Sequence, residues 1–220
     1  MKTKFFSLLL SLIMFGTFSM VLLSCGDKDN DDDPVILVED GTYIMGDAFE
    51  YNELKNDGAM QKGINEVDHS DRDGMYVKYV ALSATGGFNI VVVSGTTQTT
   101  YGPDVVSNID LTGVSEAPQV TIQKGTFKET DSKFTVPADG LYQIVLDNEL
   151  GLVAIIPINN WGVIGGATQG GWGADQAMPL TSTFSKTALT YEATEVVLIP
   201  GEFKFRQDGD GKLLWMMKRP

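Results

Sequence analysis

From Val35 onward, no stretch of the chain keeps apolar side chains three to four residues apart for three consecutive turns. What recurs instead are runs of four to eight residues rich in Val, Ile, Thr, Tyr and Phe, each closed by Gly, Asp, Asn or Pro. The clearest are TYIMG (42–46), MYVKYVAL (75–82), FNIVVV (88–93), QVTIQ (119–123), KFTV (133–136), LYQIVLD (141–147) and LVAIIPI (152–158). PADG at 137–140 and DNELG at 147–151 place turn-forming residues between neighbouring runs. β-Branched and aromatic side chains suit a pleated, half-buried surface. Strands at this spacing with no helices between them predict an all-β fold, an antiparallel β-sandwich.

Composition narrows the function classes. The 220 residues suffice for one large or two small domains, and 43% hydrophobic content with 24 glycines describes a globular, turn-rich chain. A formal charge of −13, without any basic stripe, excludes nucleic acid as a partner, because phosphates are neutralised by clustered Lys and Arg. His69 is the only histidine, so no constellation needing two imidazoles can form. Asp175 and Asp208 are imaginable as a hydrolytic carboxylate pair, but no spacing supports that role. In VDHSDRDG (67–74), Asp68, Asp71 and Asp73 could share a calcium ion, although a polar turn between strands explains them better. The chain is therefore read as non-catalytic, with no cofactor and no metal.

The N-terminus has a different character. Lys2 and Lys4 precede an apolar run from Phe5 to Leu23 that ends in Leu22-Leu23-Ser24-Cys25. The run is nearly long enough to span a bilayer, but its basic start and small-residue end make it an export signal. The closing tetrapeptide resembles the lipobox of bacterial lipoproteins. That resemblance implies a signal peptide over 1–24 and a lipid on Cys25, the only cysteine, which leaves no thiol for disulfide or metal chemistry. Residues 25–34 continue as GDKDNDDDP after the cysteine, with five aspartates against one lysine, a solvated tether. An acidic run in this place resembles the surface-export signal of Bacteroidetes lipoproteins, which implies the outer face of the outer membrane.

The remainder contains an internal repeat. TYIMGDAF (42–49) resembles WGVIGGAT (161–168), and each is followed by an Ala-Met pair and then a phenylalanine-led strand, GGFNIVV and GEFKFR. Met60 and Met178 lie 118 residues apart, and Phe88 and Phe203 lie 115 apart. Two copies of one module follow, over 35–158 and 159–220. The first continues for about 70 residues beyond Phe88, whereas 17 follow Phe203. The second copy is therefore expected to be incomplete or truncated, with open strand edges, an exposed apolar face and little order beyond Gln207.

WGVIGGATQGGWGADQAMPL followed by GEFKFRQDGD resembles the repeated module of the SusE/SusF family, surface lipoproteins of Bacteroidetes glycan-uptake systems. The resemblance implies tandem Ig-like β-sandwiches that bind polysaccharide, starch-like α-glucans in that family, without cleaving it. It also implies work beside a TonB-dependent transporter. The family's aromatic and asparagine after the GEFKFR strand are not found here in their usual setting.

Five residues are candidates for contact with glycan. A sugar ring offers an apolar face and a hydroxyl rim, which an exposed indole flanked by glycine complements. Trp172, ending GGW, is the expected platform, and Trp161 is either a core or edge anchor or a second contact. Alternation in FKFR places Phe203 and Phe205 toward a core and Lys204 and Arg206 on the opposite face. Those two cations could donate to hydroxyls, with Asp208 or Gln207 accepting, or simply form a solvated strand face. Tyr43, Phe49 and Tyr51 make a weaker aromatic set in the first copy, which is read as a spacer. Two other functions remain: a structural surface protein, such as a fimbrial subunit or adhesin completed by a partner strand, and a hydrolase.

Overall fold

The computed structural model describes residues 38–64, 71–114 and 119–208. Cys25, the acidic tether, Asp68, His69 and everything beyond Asp208 lie outside the described residues. The strands are β1 (Gly41–Met45), β2 (Gln61–Ile64), β3 (Asp71–Leu82), β4 (Asn89–Ser94), β5 (Thr97–Asp110) and β6 (Thr121–Glu129). They continue with β7 (Gly140–Asp147), β8 (Leu152–Ile158), β9 (Trp161–Ile164), β10 (Gln176–Met178) and β11 (Lys204–Gln207). One 3₁₀ turn, Asn56–Gly58, is the only helical element among the described residues. The fold is all-β and antiparallel.

Eight strands form one sheet in the order β1-β4-β5-β6-β8-β7-β3-β2, and β10-β9-β11 form a second. The large sheet curls back on itself. Tyr43 in the edge strand β1 bridges Ala59, just ahead of the opposite edge strand β2, and Met60 N donates to Thr42 O at 2.7 Å. The enclosed core gathers Ile44, Leu82, Phe88, Ile90, Phe134, Tyr142, Ile144, Val153 and Ile155 from both halves, each 3% exposed or less. This sandwich-like closure shields edges that would otherwise template aggregation.

Three strand expectations are corrected. KFTV is not a strand; Phe134 makes a single bridge to Phe88, on which its ring stacks at 5.4 Å. Its apolar character reflects core filling between halves of the sheet. Conversely, β2 and β5 carry little apolar alternation because most of their side chains face solvent. Of the VDHSDRDG stretch, the described residues Asp71, Arg72, Asp73 and Gly74 belong to β3 rather than to a turn, and Asp73 faces Lys62 at 3.8 Å.

β7 and β8 are buried on both faces, which explains why their sequences read as unbroken apolar runs rather than alternating ones. Tyr142, Ile144 and Leu146 point inward, while Val145, Ala154 and Ile156 pack outward with Met75, Leu111 and Val120. Further along the same outer face Gln143 is fully buried, and Gln207 of the small sheet sits against it.

The internal repeat reappears as backbone geometry. Gly46 and Gly165 have φ of 147° and 149°, and a Cβ on either would stand 2.3 Å from a carbonyl oxygen, of Gly87 and Glu202 respectively. Ala48 N donates to Gly87 O at 3.1 Å, and Ala167 N donates to Glu202 O at 3.0 Å. Ser83 N to Ala48 O and Ile199 N to Ala167 O, both 2.9 Å, complete the match. β1 then pairs with β4 as β9 pairs with β11. The two turns differ in their bracing. Asp47 accepts from Lys133 Nζ at 2.6 Å and Gly87 N at 3.0 Å, whereas Gly166 holds the matching place in the second turn.

Gly46→Ala forces both a disfavoured φ and a backbone clash, so a loss of about 2–4 kcal/mol is expected in chemical denaturation. The hydrogen bond from Lys133, with that from Gly87, holds the Asp47 carboxyl down to about 2. A lowered folded value stabilises above the unfolded pKa of about 4 and is lost as pH falls toward the folded value. Thermal midpoints should therefore show Asp47→Asn less stable than the parent at neutral pH, with the gap closing as the pH falls toward 2.

Candidate functional site

β9 is the centre of the small sheet, with Gly162 opposite Ala177 on one side and Arg206 on the other. Above this glycine, Arg206 Nε lies 3.0 Å from Asp175 Oδ1, and its terminal nitrogen lies 2.6 Å from Oδ2. A Cβ on Gly162 would stand 2.9 Å from the Asp175 Cβ, so the glycine leaves room for the pair. The bidentate clasp ties β11 to the segment leading into β10. Asp208 accepts from the Asn159 and Asn160 backbone N–H groups at 3.1 and 2.9 Å, which closes the entrance to β9. Gln207 is buried and donates from Nε2 to Gln143 Oε1 at 2.6 Å, and Gln143 Nε2 donates to the Tyr79 hydroxyl at 2.8 Å. Of the polar candidates on this strand, Lys204 alone is exposed; Arg206, Gln207 and Asp208 each bind protein groups.

Phe203 and Phe205 correct the sequence expectation. They are 46% and 59% exposed, not turned into a core. The matching residue in the first copy, Phe88, is fully buried because Phe134 crosses over it, and no described segment takes that place over β11. Val197, Leu198 and Ile199 are exposed as well.

Trp172 is 57% exposed. The glycine-rich loop that carries it is held by its own backbone: Thr168 N to Gly165 O (2.9 Å), Gly171 N to Thr168 O (3.1 Å) and Gly165 N to Gly171 O (3.0 Å). The Thr168 hydroxyl, buried, donates to Gly165 O at 2.9 Å. The loop thus stays ordered without large side chains, and the indole lies beside Gly166 with much of its surface in solvent.

A second aromatic grouping was not visible in the sequence. Along β3, the ladder with β2 stops at Val77, and a groove of about 510 Å³ opens beside the residues that follow. Tyr51, Tyr79, Trp161 and Tyr191 line it from four separate segments, with Asp57, Lys78 and Lys186 among its polar members. The Tyr79 and Trp161 rings lie 5.8 Å apart at 48°. Burial pushes the Lys78 ammonium below its ordinary value, and it donates to the carbonyls of Asp57 and Ala59 at 2.7 and 3.1 Å. Burial, with the nearby Asp208 carboxylate, raises the Tyr191 phenol, whose hydroxyl donates to Ile158 O at 3.2 Å. Of the predicted residues, Trp161 belongs to this groove while Trp172 lies outside its lining.

No protein-family model, curated protein or solved structure matches the chain. Among the described residues no group of three acidic, histidine or cysteine side chains is placed to hold a metal, and no helix is long and apolar enough to cross a membrane.

Burial raises the Asp208 carboxyl above its ordinary value, outweighing the two backbone donors. A raised folded value means that its stabilising contribution is complete below the unfolded pKa and is lost as pH climbs through the folded one. Asp208→Asn, which mimics the protonated acid, should gain stability relative to the parent between about pH 3 and pH 7, read as the difference in thermal midpoint.

Proposed function

We propose that this chain is a non-catalytic, lipid-anchored surface protein that binds polysaccharide, of the SusE/SusF kind and starch-like in its ligand. The observation that carries the reading is Trp172, a large aromatic face left open on a loop ordered by its own backbone. Stacking against the C–H face of a pyranose needs such a ring held still before the ligand arrives. Lys204 is exposed and able to donate to sugar hydroxyls, while Arg206 and Asp208 support the sheet that presents the site. The lipobox-like Leu22–Cys25 stretch and the acidic tether support anchoring at the outer membrane and presentation to the cell exterior, beside a TonB-dependent transporter.

A second reading draws on the exposed Phe203 and Phe205 and on β11, which borders the small sheet with one edge outside any described ladder. Those features suit a structural subunit or adhesin completed by a partner strand.

Native affinity electrophoresis of the full chain in detergent, with starch and other polysaccharides in the gel, separates the two. The first reading expects retardation by at least one polysaccharide, weakened about tenfold in Trp172→Ala, or about 1.4 kcal/mol. Unaltered mobility in every gel, together with concentration-dependent polymerisation, favours the second.

A further inference from the structure

We infer that the groove beside β3 is a second carbohydrate site, distinct from Trp172 and built for a neutral oligosaccharide; its ligand class rests on the glycan-binding reading above.

Three observations carry it. The first is convergence: Tyr51, Tyr79, Trp161 and Tyr191 come from four stretches of chain and line one groove of about 510 Å³. That volume falls within the usual range for small-ligand sites, and aromatic walls with a few polar groups are their usual lining. The second is preorganisation. Tyr79 is 47% exposed, yet its hydroxyl accepts from Gln143, which is fully buried and is itself held by Gln207. The Trp161 ring lies alongside at 5.8 Å. A ring fixed by buried partners loses little freedom when a sugar stacks on it.

The third observation is electrostatic. The charged groups of the lining are two of each sign, Glu50 and Asp57 against Lys78 and Lys186, and three of them have protein partners: Asp57 accepts from the Tyr51 hydroxyl at 3.0 Å, Lys78 lies on two backbone carbonyls, and Lys186 donates to Asp47 O at 3.0 Å. No single sign of charge dominates the lining, so the geometry selects an uncharged, hydroxyl-bearing ligand over an anion or a cation. An extended peptide fits less well. The β3 edge is crossed at one end by the Lys78 ammonium and closed at the other by Ser83 N donating to Ala48 O, which leaves too short a run of backbone for strand addition.

The test is isothermal titration of the full chain in detergent with maltohexaose, xylohexaose and mannohexaose, and with a valine- and threonine-rich peptide as the competing probe. Three variants are compared: Trp172→Ala, Ala188→Arg and Tyr79→Phe. Ala188 is an exposed alanine on the groove lining, so arginine there obstructs the groove without removing existing packing, and an unchanged unfolding midpoint verifies this. At least one hexasaccharide is expected to keep a saturable component in Trp172→Ala. That component should weaken about tenfold when Ala188→Arg is added, and about threefold when Tyr79→Phe releases the ring from Gln143. Binding that Trp172→Ala abolishes and Ala188→Arg leaves intact overturns the groove while sparing the Trp172 platform. Binding that Ala188→Arg abolishes and Trp172→Ala leaves intact does the reverse. Silence of the unmodified chain toward all three sugars, or saturable binding only of a valine- and threonine-rich peptide, overturns the groove as a carbohydrate site.

Discussion

The outward faces of β7 and β8 impose the constraint on which the rest of the molecule depends. These strands are apolar on both sides, so closing the large sheet around its core satisfies only half of what they need to bury. Their outer face is covered at one end by Leu111 and Val120. Further along, the cover is polar and specific: Gln207 of the small sheet meets Gln143. A buried amide that lost this partner would carry an unmet hydrogen-bond requirement, which gives the small sheet a preferred seat. Trp161 is brought beside Tyr79 as a consequence, and the groove forms where these elements meet.

The duplicated turn shows how one backbone solution can carry two chemistries. Gly46 and Gly165 adopt nearly the same φ and allow the same close approach of a phenylalanine-led strand. In the first copy the residue after the glycine is Asp47, whose carboxylate fastens the turn to Lys133 and Gly87. In the second it is Gly166, beside which the Trp172 indole lies. An ionic brace at one turn is replaced at the other by bare backbone next to an exposed aromatic ring. The first arrangement stabilises a core, and the second presents a surface.

Much of the architecture was legible in the residues. Strand content, the main turns and the spacing of the repeat all follow from local preference and periodicity, which act over a few residues at a time. The failures were equally physical. β5 was missed because its side chains mostly face solvent and leave no apolar alternation. KFTV was misread because core filling and strand formation favour the same residue types. Phe203 and Phe205 were assigned to a core because alternation specifies which residues share a face but not what covers it.

The sequence alone determined an all-β chain with a repeated turn and a tryptophan set among glycines, since each is written in neighbouring residues. Only the tertiary structure decided which polar side chains are committed to the protein itself. Arg206 meets Asp175 from 31 residues away, and Gln207 meets Gln143 from 64. The groove was likewise invisible beforehand, because Tyr51, Tyr79, Trp161 and Tyr191 share no period and become neighbours only when separate strands and loops converge. Contacts of that range depend on how the whole chain closes, and local preference carries no record of it.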